Sequence, residues 1–169
     1  SDLDAFYGIE LPHEFRDLFG LAPLTADQAG ISEVQGRAVH RQQVVYPVFR
    51  VVPMGWTHAL WVCQQCHEHV VNTIESIPSS LRFHDGAPIP ALRPLIHTEY
   101  VDNYVAISQV PGAAGASARE VERSLNERGL PTHAVEEGVG GETLGWKFGD
   151  NSAEVTMTPR RLWKLRLAV

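Results

Sequence analysis

The stretch LIHTEYVDNYVAIS, residues 95–108, constrains this chain most, because the apolar residues on either side of Tyr100-Val101-Asp102-Asn103 read as the two arms of a β-hairpin. Asp102 and Asn103 then stand at its tip. A carboxylate held in such a place is a hard oxygen ligand, the kind that a small divalent cation prefers. Two segments precede it in the chain. SDLDAFYGIELP opens the sequence with an Asp-rich strand, and VVPMGWTHALWVCQ places a glycine turn between a strand and a helix.

At 169 residues the chain is expected to be a single domain, large enough to bury a core. Its 44% apolar and 20% charged residues are ordinary for a globular protein, with no run long enough to cross a bilayer and no signal-peptide pattern. A first residue of Ser, falling directly on the Asp-rich strand, suggests a fragment of a longer chain. The net charge of −6 argues against strong nucleic-acid binding by the chain alone, since phosphates are normally met by clustered Lys and Arg. Lys147 and Lys164 are the only lysines, and Arg160, Arg161, Lys164 and Arg166 form the sole basic run. The two cysteines, Cys63 and Cys66, are too close on an expected helix for an easy bridge, so they indicate no disulfide scaffold. An intracellular setting is the expectation, with the compartment itself left open.

Along the chain, residues 1–11 alternate like a strand, and 36–53 are rich in β-branched and aromatic residues, reading as a hairpin or two strands with Pro47 at an edge or bulge. After Gly55, the residues Trp56, Ala59, Leu60, Cys63, Cys66, Val70 and Ile74 recur at helical spacing and predict a long helix that ends before Pro78. Prolines 78, 88, 90 and 94 make a connecting loop. PGAAGA reads as a flexible turn, and Ser117 with Glu120 as the capping box of a helix ending at Gly129. Strands follow around 132–137, 143–148 and 153–157, then a final helix with Thr158 as N-cap and Pro159 at its first position. The order β-α-β-β-α-β suits an α+β fold of the ferredoxin-like kind, an antiparallel sheet backed by helices.

The order Asp strand, glycine turn with helix, Asp hairpin resembles the palm domain of retroelement reverse transcriptases, and the resemblance covers nearly the whole chain. It implies an RNA-directed DNA polymerase whose palm holds two Mg²⁺ ions, acting on an RNA or DNA primer-template and dNTP. Asp2 and Asp102 would be the metal ligands. Asn103 stands where many members have a second Asp, which removes one negative charge from the site. Two registers are open for the first motif. Counting from Asp2 places Phe6 and Tyr7 at the small-or-aromatic position and the gate against a ribose 2′-hydroxyl. Aligning on DAFY instead puts Ser1 at the catalytic position and implies a dead site. Pro53-Met54-Gly55-Trp56 resembles the second palm block, whose glycine lets the backbone approach the nucleotide. LPTHAVEEG and ETLGWKF resemble the fourth and fifth blocks, but His133, Glu136 and Glu137 stand where a proton-donating lysine is expected.

Two other readings compete. The acidic charge and Asn103 favour a catalytically inactive derivative of a reverse transcriptase, a structural subunit that binds protein partners in a larger assembly. Cys63-Gln64-Gln65-Cys66-His67 matches the C-x-x-C-H pattern of covalent haem attachment, with His67 as the iron ligand, although both cysteines also fit apolar positions of the helix. A zinc site from Cys63, Cys66, His67 and His69 would need strained closure from one helix.

Overall fold

The computed structural model describes residues 8–86, 88, 95–138, 140–143, 145–149, 155–159 and 162. Asp2, Phe6 and Tyr7 lie outside the described residues, as do the terminal basic run Arg160, Arg161, Lys164 and Arg166 and the segment from Asp150 to Ser152. The described part mixes helices with small antiparallel sheets.

Near the start, a short helix α1 (His13–Arg16) runs into a 3-10 turn at Asp17–Phe19. Strand β1 (Leu24–Thr25) leads into helix α2 (Ala26–Ala29), whose capping box joins Thr25 and Gln28. Strands β2 (Glu33–Val34) and β3 (Arg37–Ala38) form a tight hairpin across Gln35 and Gly36, both at positive φ. Strand β4 (Val44–Val45) pairs with β1, and bridges join Val48 to Gly20 and Val51 to Glu10. The β-branched segment 36–53 therefore does form strand, but mostly by pairing back onto residues 10–25 rather than folding on itself. Pro47 serves this arrangement through its carbonyl, which accepts the Leu21 N–H at 2.8 Å.

The core lies between two helices and one hairpin. Helix α3 (Ala59–Asn72) buries Ala59, Cys63, His67, Val70 and Val71. Leu60, expected on that face, is exposed together with Trp61. Strands β5 (Ile96–Tyr100) and β6 (Asn103–Ile107) form the expected hairpin, from Ile96 opposite Ile107 to Tyr100 opposite Asn103, with Val101 and Asp102 as its two-residue turn and Asn103 as the first residue of β6 rather than part of the tip. The hairpin packs against α3 and against helix α4 (Ala113–Asn126). Its apolar cluster draws in Ile9, Leu11 and Val52 from the first half, with Ile74, Ile77, Tyr104, Val121, Leu125 and Leu130.

Helix α4 starts after Gly112, five residues before the expected cap. PGAAGA is thus largely helical. Ser117 is not a cap but a buried helical residue whose hydroxyl meets Tyr104 Oη at 2.6 Å, and Glu120 accepts from Ser76 Oγ. The expected end is as read, since Gly129 has φ +74 and lets Leu130 N–H reach back to the Leu125 carbonyl. Residues 133–138 are irregular, so the strand expected at 132–137 does not form there. Strands β7 (Gly141–Thr143), β8 (Trp146–Phe148) and β9 (Val155–Met157) make the remaining sheet, with Gly145 at φ +78 just before β8. Leu162 N–H donates to the Thr158 carbonyl, as a helix opening at Thr158 requires.

Candidate functional site: the Asp102 turn and the helix beneath it

The carboxylate singled out by the sequence stands at the second position of the hairpin turn. Asp102 is partly exposed there, and Asn103 Nδ2 donates to its Oδ1 at 2.8 Å. One oxygen of the carboxylate is thus oriented by its neighbour. Preceding it, Val101 has φ +55, a left-handed backbone that costs a β-branched residue dearly.

Helix α3 captures both peptide groups of Val101. Gln64 Oε1 accepts the Val101 N–H at 2.6 Å, and His67 Nδ1 donates to the Val101 carbonyl at 3.1 Å. The Gln64 amide is itself fixed, because its Nε2 donates to Glu68 Oε1 at 2.6 Å and to the Glu99 carbonyl at 3.1 Å. With the proton on Nδ1, His67 Nε2 is a buried acceptor that has no partner among the described residues. Burial holds the His67 pKa below the ordinary histidine value, against the opposing pull of the Val101 carbonyl and of the Glu99 and Asp102 carboxylates.

The face of the hairpin turned to the helices is polar. His97 and Glu99 are buried there beside Tyr104. His97 Nδ1 donates to Glu99 Oε1 at 2.9 Å, and its ring stacks on Tyr104 at 5.8 Å between centroids. Arg82 Nε lies 2.7 Å from Glu99 Oε2 without an aligned hydrogen bond, an ion pair reinforced where Arg82 Nη2 donates to Asn72 Oδ1. Burial alone would raise the Glu99 pKa, but the His97 bond and the Arg82 charge hold it below the usual carboxylate value. Through Arg82, whose backbone bridges His97, the predicted proline-rich loop is tied to β5 at its described end.

The second predicted segment meets the first on this helix. Gly55, at φ +96 with open space on the side where a Cβ would lie, turns the chain into α3, while the neighbouring Met54 side chain is exposed. From Ala59 at the first turn to Gln64 is a rise of about 7.5 Å along the axis, so one short helix joins the glycine turn to the Asp102 turn. Gln64 was not legible as a site residue. His67 was, but as a haem ligand; the sign of its actual place is a polar residue at i+4 from Cys63 and i+8 from Ala59 on the buried face.

The cysteines of that motif have the character of core residues. Cys63 is wholly buried, its pKa pushed up to about 11 by burial and by the nearby Cys66 and Asp102, and burial also raises Cys66. Both stay thiols at neutral pH, poor ligands and poor nucleophiles. Haem attachment here would require opening the packing around Cys63 and breaking the His67 bond to Val101. Among the described residues no three His, Cys, Asp or Glu side chains cluster so as to hold a metal ion. Asp102 is a single carboxylate there. An open groove of about 640 Å³ between the end of α3 and α4 is lined by Thr73, Glu120, Arg123 and Arg128 among others, and by none of the predicted site residues.

No protein-family model matches this chain, and no curated protein matches it. Among the described residues no helix is long and apolar enough to cross a membrane.

Proposed function

We propose that this chain is the palm of a reverse-transcriptase-type nucleotidyltransferase of ferredoxin-like topology, with Asp102 as a metal ligand and Asp2 as its partner. The observation that supports it is the turn itself. A lone Asp in a hairpin tip is usually a solvated turn residue, but this one follows a strained Val101 whose N–H and C=O are both held by a helix. Asp102 offers hard oxygen, and a hard divalent ion needs few carboxylates because it keeps water and substrate phosphates in its shell. When bound, a Mg²⁺ pair activates the primer hydroxyl and stabilises the departing pyrophosphate. The protein's part is to fix Asp102, with Asn103 orienting one of its oxygens, and to supply at Gly55 a backbone free of side chain.

The test is Mn²⁺ titration of the ¹⁵N-labelled chain. Paramagnetic broadening should centre on the Asp102 and Asn103 amides and disappear in Asp102→Asn; broadening spread over the acidic surface, unchanged by that substitution, would reject the reading. Exposure favours a second reading, that of an inactive structural subunit binding protein partners. Leu18, Tyr46, Met54 and Trp61 are each more than three-fifths exposed, large apolar side chains available to a partner.

A further inference from the structure

We infer that Gln64 and His67 are positioning residues for Asp102, holding Val101 in the left-handed region and so fixing the direction in which the turn presents the carboxylate. The inference rests on the reading of Asp102 as a metal ligand. It starts from a mismatch between the turn and its sequence. Two-residue hairpin turns with positive φ at their first position are normally made by Gly, Asn or Asp, which adopt that backbone at little cost. This chain has Val there, among the least tolerant residues. A strained residue persists only where its surroundings over-determine it.

The surroundings are on α3. Two side chains one turn apart, Gln64 and His67, take the two peptide groups of Val101, and each is locked in turn. Gln64 is held by Glu68 and by the Glu99 carbonyl, which sets its oxygen toward the Val101 N–H. His67 is held by burial and lies against the Tyr104 ring, 6.4 Å between centroids. The pairing of Tyr100 with Asn103 closes the turn from the other side. Asp102 has one peptide bond between it and this clamp. Rotating Val101 back to an ordinary φ would swing the Asp102 carboxylate away from its present direction. Helix α3 thus supplies what glycine would supply in another hairpin.

That substitution of roles gives the test, made on the full chain with Mn²⁺ as probe. In Gln64→Leu, which keeps the bulk and loses all three side-chain bonds, hydrogen exchange at the Val101 amide should speed up while the amides of β5 keep their protection. Mn²⁺ affinity at Asp102 should fall about tenfold, the equivalent of one lost hydrogen bond. His67→Phe should act in the same direction. Adding Val101→Gly to Gln64→Leu should restore most of the Mn²⁺ affinity without restoring amide protection, which a general loss of helix packing would not permit. Gln64→Ser makes the same comparison if Gln64→Leu does not fold. Unchanged Val101 exchange in Gln64→Leu would overturn the clamp, and so would faster exchange with unchanged affinity, or a defect that Val101→Gly leaves in place. A wild-type chain with no Mn²⁺ effect at Asp102 would instead remove the metal reading, a distinct result, since the exchange measurement needs no metal.

Discussion

At the scale of single residues, the hairpin hides two titrations that push stability the same way. His67 is buried with a depressed pKa, so below about 6.5 the unfolded chain takes up a proton that the folded chain refuses. Its contribution is complete above that value and is lost as the pH falls through the folded pKa. Glu99 is a carboxylate whose folded pKa is lowered from 4.5, so its contribution is complete above 4.5 and disappears as acid protonates it in the fold. Stability measured by urea unfolding should therefore fall in two stages on acidification, with a slope of up to about 1.4 kcal/mol per pH unit for each proton. His67→Phe should flatten the first stage and leave the second; Glu99→Gln should do the reverse. A single stage in the wild-type chain, unaffected by either change, would mean that these groups are not buried as described. The apolar residues flanking Tyr100–Asn103 gave the hairpin but not the inner face of β5. Apolar Ile96 and polar Thr98 share one side and His97 and Glu99 the other, and the polar pair turns inward because Arg82, Tyr104 and the helices satisfy it. Arg82 comes from a segment that reads only as loop, so its role could not be seen from the hairpin sequence.

At the scale of elements, what was legible followed from local signals. The hairpin, the helix after Gly55, the glycine at the end of α4 and the helix onset at Thr158 each depend on a few adjacent residues. The start of α4 shows the opposite case. Ser117 and Glu120 have the spacing of a capping box, but Gly112 at φ +77 begins the helix earlier, and the Ser117 hydroxyl is drawn to Tyr104 across the core. A glycine-rich stretch in a helix lowers its stability, and Gly115 is the place to see it. A Cβ there would meet only the carboxylate end of the Glu137 side chain, a flexible group that can move aside. Moving it puts at risk an exposed ion pair with Arg119, worth at most about 1 kcal/mol. Replacing a helical glycine by alanine returns about 0.5–1 kcal/mol. Gly115→Ala should thus be neutral to slightly stabilising in urea unfolding, whereas a loss of more than about 1 kcal/mol would show that Glu137 is held in place by more than Arg119.

At the scale of the whole molecule, charge sets what the chain can hold by itself. The site pairs an acidic turn with a protein of net charge −6, and the arginines that the structure describes are largely spent on their own neighbours: Arg16 and Arg50 on Glu10, Arg82 on Glu99, Arg128 on Ser124 and Thr73. Nucleic-acid affinity comes mainly from phosphates neutralised by free Lys and Arg, with the release of their counterions. A chain of this charge should therefore bind a primer-template poorly in physiological salt, with no saturation in fluorescence anisotropy up to about 10⁻⁴ M, the weak end of non-specific binding. Lowering the salt should help little, because few phosphate contacts mean a shallow dependence on salt. The two functional readings separate here. A palm that works with basic surfaces supplied by other polypeptide should gain primer-template binding when joined to them, and Asp102→Asn should leave that binding intact while abolishing extension. A structural subunit should instead keep its protein associations in Asp102→Asn and lose them when an exposed apolar residue such as Trp61 is replaced by a charged one. Saturable micromolar binding of primer-template by this chain alone would show that phosphate is met by groups other than these paired arginines, and would shift the balance toward a self-sufficient polymerase.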